Sequence, residues 1–246
     1  MYSDSKKQWN VCIGCKFDCL YCSKSFQKTM KRQRHNCRYI NQELGESKCY
    51  LYEPHFHYER LFDSLPRTSG DQFIWVNSSS DIYFSEELWI NIILERVKKL
   101  QAKTFFFQSK APECFNKYDF PQNTVLGITL ETNRDKEYFK VPEEFKKKGY
   151  DLISKAPLPI KRFKDFLEIE HERKRITIEP ILDFDLEEFF DLIKQINPEK
   201  IYLGFDTKKC NLNNPGTEKT KAFIQKIQTE LRNIKLKLKY IPYLIQ

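Results

Sequence analysis

The sequence predicts an α/β fold, a partial (β/α)6 TIM-like barrel, and two observations lead to this prediction. Short apolar runs alternate with amphipathic helical patterns along most of the 246 residues. Such runs are typical of parallel strands, which are buried on both faces. Each run also ends in polar side chains, as in a barrel whose functional groups lie at the carboxyl ends of its strands. The pattern contains six strand–helix units, too few for a closed eight-stranded barrel, so we expect a partial one.

The predicted strands are short apolar runs bounded by polar residues. They are Gln8–Val11, Gln72–Asn77, Thr104–Gln108, Thr124–Leu130, Arg175–Ile181 and Lys200–Phe205. Helical periodicity fills the intervals at Ser23–Gln33, Glu86–Lys99, Val141–Lys148, Ile160–Glu172, Leu186–Ile196 and Thr217–Asn233. The second helix is predicted to bury one stripe, made of Leu88, Ile92, Ile93, Val97 and Leu100. A Rossmann-type sheet is the alternative, but no G-x-G-x-x-G motif follows any strand.

Chain length favours a single domain over residues 1–246. Its core barrel is expected to cover about 8–206, and 207–246 to add a C-terminal helix and strand. Ile234–Lys239 alternates apolar residues with lysines, which predicts a strand with one buried face and protective lysines on the other. No run reaches the roughly 18 apolar residues of a membrane span, and no signal-peptide pattern opens the chain. We therefore expect a cytoplasmic protein with no membrane partner.

The charge balance allows an anionic partner. The formal net charge is +8, and nucleic acid is the most obvious partner for such a chain. Basic residues concentrate between Lys24 and Arg38, a segment without a single acid. A helix of this kind would make salt-sensitive phosphate contacts. A solvated helix face and a docking site for an acidic reductant are the alternatives.

Four of the eight cysteines lie within eleven residues, and Cys12 is the first of them. In a chain without an export signal, this density indicates metal binding rather than disulfides. The other three form a C-x3-C-x2-C motif of Cys15, Cys19 and Cys22, with an aromatic residue, Tyr21, before the last cysteine. Because a cubane cluster has four irons, three thiolates would leave one iron open. We interpret Cys12 as a pocket-lining or structural thiol.

The remaining cysteines, Cys37, Cys49, Cys114 and Cys210, are scattered singly. Most are expected to be buried thiols that act as small hydrophobes. Two alternate histidines, His55 and His57, suggest a metal site, but the sequence shows no evident third ligand. A structural or substrate-contacting role for His57 is therefore favoured.

The motif resembles the signature of the radical S-adenosylmethionine (SAM) superfamily, C-x3-C-x-aromatic-C. Longer segments resemble an uncharacterised, often phage-encoded family within it and, more distantly, the spore photoproduct lyase group, which repairs DNA. The resemblance spans about residues 9 to 206 and is carried by Trp9–Cys15, Glu53–Leu61, Val76–Tyr83, Phe107–Pro112, Gly127–Glu131 and Ile178–Pro180. The segment Ser109–Ala111 departs from the family's usual T-K-R, and Asp206 stands where the family tends to Gly-Glu.

The resemblance implies a 4Fe–4S cluster on Cys15, Cys19 and Cys22 that cleaves SAM reductively to a 5′-deoxyadenosyl radical, which abstracts hydrogen from a substrate. A ferredoxin- or flavodoxin-type protein would supply the electron. The expected substrate is a nucleic acid, a nucleotide or a related metabolite. The residues expected at the SAM site are Tyr21, Asn77, Ser78, Ser79, Ser80, Asp81, Lys110, Thr129, Glu131 and Glu179.

Other interpretations of these residues stay open at this point. All four N-terminal cysteines could bind zinc or a closed iron–sulfur cluster in a non-catalytic nucleic-acid-binding module. The serines after the second strand could be helix caps. Glu131 and Glu179 could be internal salt-bridge partners, and Lys110 could be a solvated lysine.

Overall fold

The computed structural model describes residues 2–22, 27, 29, 32 and 37–239. These residues form a mixed α/β fold with a seven-stranded sheet in the order β1-β4-β5-β6-β7-β8-β9 and a two-stranded sheet of β2 and β3. The strands are β1 (Ser5–Trp9), β2 (Cys12–Ile13), β3 (His55–Phe56), β4 (Phe73–Val76), β5 (Phe105–Ser109), β6 (Thr124–Thr129), β7 (Lys174–Ile178), β8 (Lys200–Leu203) and β9 (Lys235–Leu238). The α/β prediction is confirmed, and the sheet is compatible with a partial barrel.

The α-helices are α1 (Leu20–Cys22), α2 (Lys48–Leu51), α3 (Glu87–Lys98), α4 (Glu143–Lys146), α5 (Pro159–Leu167), α6 (Leu186–Ile196) and α7 (Thr217–Glu230). Short 3-10 helices cover Tyr58–Phe62, Ile82–Phe84, Pro112–Lys117 and Asp135–Phe139. None of the described helices combines the length and apolar character needed to cross a membrane. The predicted basic helix Ser23–Gln33 lies outside the described residues except at positions 27, 29 and 32.

The chain groups into two compact units. Unit 1 comprises Met1–Asp18, Cys22–Ser109 and Cys114–Leu126, and unit 2 comprises Cys19–Tyr21, Lys110–Glu113 and Gly127–Gln246. Both units are built on parallel strands: β1 pairs with β4 and β4 with β5 in unit 1, and β7 pairs with β8 and β8 with β9 in unit 2.

The core of unit 1 is formed by aromatic strand residues and one face of α3. Trp9, Phe73 and Phe105 are fully buried. The buried face of α3 consists of Ile90, Ile93, Leu94 and Val97, which are spaced i, i+3, i+4 and i+7 as expected for an amphipathic helix. The predicted stripe is wrong at Leu88, which is 64% exposed. Two residues before Ile90, at 100° per residue, Leu88 lies on the opposite side of the helix.

The small β2–β3 ladder of unit 1 positions the histidine segment. Cys12 pairs with Phe56 and Ile13 with His55, in antiparallel register. The His57 backbone N–H also donates to the Val11 carbonyl at 2.7 Å. Two-residue strands leave no periodic signal in a sequence, so this ladder was not predicted. It fixes both histidines beside the start of the cysteine motif.

Unit 2 packs its helices through aromatic rings, with Phe189 stacked on Phe223 at 5.3 Å between ring centroids. Helix α6 has the bounds that the sequence predicts, and Asn197 ends it in the left-handed conformation. The predicted strand near the C-terminus is present as β9, but its apolar face is buried only in part, because Ile234 is buried whereas Leu238 is 40% exposed. Strand β9 ends the strand order of the sheet, where lysine-rich sequences are usual because they discourage further pairing.

Candidate functional site

The residue before the cysteine motif, Gly14, occupies a position that only glycine can adopt. Gly14 has φ +103°, and a Cβ there would lie 2.3 Å from the Glu53 carbonyl carbon and oxygen. Its backbone N–H donates to the Ser79 carbonyl at 3.0 Å. Glycine adopts this backbone region without steric cost. The peptide that leads into Cys15 is therefore held tightly against two other segments of unit 1.

Cys12 has the surroundings of a structural thiol. It is buried on β2, and its backbone N–H donates to Asn77 Oδ1 at 2.8 Å. Burial raises the pKa of the Cys12 thiol to about 12, against smaller opposing effects of the Ser85 and Asn77 side chains. The thiol faces the Ser85 and Asn77 side chains. The structural interpretation of Cys12 is therefore supported.

The three motif cysteines provide the donor chemistry of an iron–sulfur site. Cys15 and Cys22 are half-buried thiols in unit 1, and Cys19 is a buried thiol in unit 2. Cys19 Sγ lies 3.0 Å from Ser154 Oγ. Thiolates are the usual ligands of 4Fe–4S clusters, and no disulfide occupies any of these sulfurs. The chemistry of the three side chains is therefore that of iron–sulfur ligands.

The polar turn after β4 forms hydrogen bonds with Asn10 and with its own backbone. Asn77 has φ +54°. The hydroxyl of Ser78 and the backbone N–H of Ser79 both donate to Asn10 Oδ1 at 3.0 Å. Ser80 Oγ donates to the carbonyl of Asp81, the residue that follows it, at 3.2 Å.

Asp81 at the end of this turn acts as a cap. Its carboxylate accepts from the Tyr83 N–H at 3.1 Å and from Ser109 Oγ at 2.6 Å. The structure thus brings Asn77–Asp81 together as one turn and gives the side chains of Ser78 and Asp81 internal structural partners.

A buried charged cluster in unit 2 is centred on Glu131. Its Oε1 accepts from Tyr21 Oη at 2.5 Å and from Lys110 Nζ. Its Oε2 accepts from Arg162 Nη1 at 2.8 Å and from Tyr138 Oη at 2.7 Å. Burial alone would raise the pKa of Glu131, but the Arg162 and Lys110 cations lower it to about 2. Tyr21, Lys110 and Glu131, each predicted separately, therefore meet in one place.

Arg162 completes this cluster and was not predicted from the sequence. It is fully buried on α5 and also donates to the Thr129 carbonyl at 2.9 Å. The only signal was an arginine three residues after Pro159 and four before Phe166, both on the buried face of the helix. With Lys110, Arg162 outweighs Glu131, so two cations and one carboxylate leave a formal charge of +1.

Glu179 has a structural partner. Its carboxylate forms an ion pair with Lys239 Nζ, immediately after β9. This contact matches the salt-bridge alternative for Glu179. By contrast, the backbone of the same segment does reach the charged cluster, because the Leu182 N–H donates to the Glu131 carbonyl at 2.8 Å.

A second group of metal-ligating side chains lies in unit 1 and was missed as a group. Cys37, Cys49, His55 and His57 are all buried, and their donor atoms lie within 4.8 Å of one another. Cys49 Sγ is 3.4 Å from Nε2 of both histidines, and Cys37 Sγ is 3.6 Å from His55 Nε2.

These four side chains could hold a metal ion. The interpretation of Cys37 and Cys49 as mere hydrophobes is therefore incomplete, and the third and fourth ligands that the histidines seemed to lack are present. Burial lowers the pKa of His55 to about 4, and it also lowers the pKa of His57.

Comparisons with known proteins add no assignment to these sites. No protein-family model matches the chain, and no curated protein matches it significantly.

Proposed function

We propose that this chain is a radical SAM enzyme with a partial (β/α)6 barrel fold. The observation that carries the proposal is the spacing of Cys15, Cys19 and Cys22, with Tyr21 before the last cysteine. These three cysteines would hold a 4Fe–4S cluster. When bound, such a cluster supplies an open iron and an electron for cleaving SAM to a 5′-deoxyadenosyl radical. The chain's own side chains would form the rest of the site.

The surroundings of Cys12 support three protein ligands rather than four. Its thiol is buried against the Ser85 and Asn77 side chains, and its backbone is fixed on β2 by the bond to Asn77. These partners would keep the Cys12 thiol in a structural role and leave the cluster with three protein ligands. An iron without a protein ligand is what SAM binding requires.

The charged cluster of unit 2 supports binding of a small anion. Its formal charge is +1, and the Lys110 side chain is 14% exposed whereas Glu131 and Arg162 are fully buried. Excess positive charge in a buried setting is stabilised by an anionic ligand, and the methionyl carboxylate of SAM is such a group. Glu131 would orient Lys110 and Tyr21, and Tyr21 would in turn hold the end of the motif in place.

The turn after β4 would receive the methionyl amine. Because Ser78 and Asp81 have internal partners, we assign this role to backbone carbonyl oxygens of Asn77–Ser80, which have two lone pairs each and can accept a second hydrogen bond from an ammonium. Thr129 would contact the ribose. A ferredoxin- or flavodoxin-type reductant would supply the electron, and the net charge of +8 favours a nucleic acid or nucleotide substrate.

Anaerobic reconstitution with iron and sulfide, followed by dithionite and SAM, tests the proposal. We expect about four irons per chain and release of 5′-deoxyadenosine. The Cys15→Ala, Cys19→Ala and Cys22→Ala variants should lose both, and Cys12→Ala, the matched control, should keep both. A fully loaded sample that fails to cleave SAM would contradict the proposal. Loss of iron in Cys12→Ala would favour the non-catalytic nucleic-acid-binding module.

A further inference from the structure

The Cys37, Cys49, His55 and His57 cluster has the donor spacing of a single tetrahedral ion. With zinc–sulfur bonds of about 2.3 Å and zinc–nitrogen bonds of about 2.0–2.1 Å, neighbouring sulfur and nitrogen ligands of a tetrahedron lie about 3.5 Å apart. Three of the four sulfur–nitrogen distances are 3.6, 3.4 and 3.4 Å, and the fourth is below 4.8 Å. The two histidine nitrogens are closer, at 2.8 Å, and would separate by about half an ångström on binding.

The histidine hydrogen bonds aim both Nε2 lone pairs into this cluster. His55 Nδ1 lies 2.7 Å from the Glu53 carbonyl oxygen, which can only accept, so Nδ1 carries the proton. His57 Nδ1 lies 2.9 Å from a carboxylate oxygen of Glu59 and is protonated for the same reason. In the neutral rings both Nε2 atoms are therefore bare acceptors, and they face each other at 2.8 Å. Two such lone pairs repel unless a cation lies between them.

These outer contacts are those of a metal site. Histidine ligands generally donate their second N–H to a carboxylate or a backbone carbonyl, which fixes the tautomer and orients the ring. Here His57 uses the carboxylate and His55 the carbonyl. The Cys37 and Cys49 thiols are only weak hydrogen-bond donors to these nitrogens, and the two Nε2 lone pairs still face each other at 2.8 Å. This arrangement is costly to bury without a ligand.

The donor set and its compactness select the ion. Two thiolates and two imidazoles in a tetrahedron are typical of zinc or of iron–sulfur centres. A two-iron cluster with mixed ligands places the cysteines on one iron and the histidines on the other, which would hold the pairs apart. In this cluster Cys49 is equally close to both histidines, and all four donors lie within 4.8 Å of one another. A single ion satisfies that arrangement.

We infer that Cys37, Cys49, His55 and His57 bind a structural zinc ion. The site has no open position, as in other four-ligand zinc sites that stabilise folds. The ion would tie α2 and the Cys37 segment to the β2–β3 ladder. Ile13 belongs to the same apolar cluster as Cys37 and Cys49, and Cys15 packs against it. The zinc ion would thus support the segment from which the cysteine motif starts.

Elemental analysis of the full chain purified after growth with zinc tests the inference. We expect about one zinc per chain. The Cys49→Ser/His57→Gln variant should bind zinc at least about tenfold more weakly. The matched control, Cys114→Ser/Cys210→Ser, changes two buried cysteines outside the cluster and should keep the ion. The Cys15→Ser/Cys19→Ser/Cys22→Ser variant should also keep it, so the zinc assignment stands or fails separately from the proposed enzymatic function.

A second measurement covers the case in which the cluster variant does not fold. Wild-type protein refolded with Co²⁺ should show the visible absorption of tetrahedral cobalt and a thiolate-to-cobalt charge-transfer band, and a chelator should lower its thermal midpoint. The inference is overturned if folded wild-type protein contains no zinc and takes up no cobalt. Retention of zinc by Cys49→Ser/His57→Gln would overturn it equally.

Discussion

The two buried polar clusters of this protein differ in how they treat charge. Around Glu131, every carboxylate oxygen accepts from two donors, and two cations surround one anion. Around His55 and His57, the atoms that face one another are sulfurs and bare ring nitrogens. In the first cluster both carboxylate oxygens have hydrogen-bond donors, and the two cations leave a net positive charge that an anion could neutralise. The second cluster consists of metal-ligand atoms, which a cation would bring together. Buried polarity alone therefore does not identify a metal site; the balance of donors and acceptors does.

Removing one member of the Glu131 cluster should have the largest effect on stability. Arg162→Met leaves a buried carboxylate without its fully buried cationic partner, which typically costs about 3–5 kcal/mol. Arg173→Met is a suitable control, because Arg173 pairs with Glu199 at a half-exposed site and such pairs contribute at most about 1 kcal/mol. Urea unfolding of both variants measures the difference. Equal losses in the two variants would show that the Glu131 cluster is no more than a surface-like ion pair.

The same cluster should make stability depend on pH in a defined window. Burial opposes ionisation of Glu131, but Arg162 and Lys110 lower its pKa from 4.5 to about 2. A depressed pKa contributes stability that is fully present above the unfolded value and is lost as the pH falls towards the folded value. The advantage of wild type over Glu131→Gln should therefore be constant above about pH 5.5 and shrink by up to about 3 kcal/mol towards pH 2.

Urea midpoints of the wild type and Glu131→Gln between pH 7 and pH 3 measure this change. Glu143→Gln is the control, because Glu143 is exposed in its pair with Lys146 and should alter stability by less than about 1 kcal/mol at each pH. If the stability difference between wild type and Glu131→Gln is as large at pH 3 as at pH 7, Arg162 and Lys110 do not stabilise the charged form of Glu131.

The smallest effect is expected at Glu59, whose carboxylate contacts the proposed zinc ligand His57. Glu59→Gln keeps a hydrogen-bond acceptor for His57 but removes its charge, and losses of this kind typically weaken metal binding about 10- to 100-fold. Glu95→Gln is a matched control on the surface of the same unit. Competition for zinc with a chromogenic chelator compares them. If Glu59→Gln and Glu95→Gln bind zinc equally, the carboxylate of Glu59 does not tune the site.

The sequence predicted what depends on local pattern. The main strands of the seven-stranded sheet, the helices α6 and α7 and the compact cysteine motif all have signals within a few consecutive residues. Tyr21, Lys110 and Glu131 were predicted from the resemblance to the radical SAM superfamily, although their direct contact was not.

Sequence reasoning did not find what depends on the folded chain. Cys37 and Cys49 are separated by eleven residues and meet the histidines only through the β2–β3 ladder, which is too short to leave a pattern. Arg162 is hidden because an arginine in an amphipathic helix normally faces solvent. Leu88 is the opposite case. It is apolar and was predicted to be buried, but it is exposed, because packing against the core decides which side of the helix is buried.

Gly14 has an evolutionary consequence. Its α-carbon lies where three distant stretches of chain converge, since the Glu53–Pro54 backbone fills the space of a Cβ and Ser79 accepts its N–H. Substitution there cannot be absorbed by a side chain moving aside, because the obstacle is main chain. Homologous sequences should therefore vary at this position only in concert with a shift of residues 53 and 54, and covariation between the two would mark proteins that share this entry to the loop.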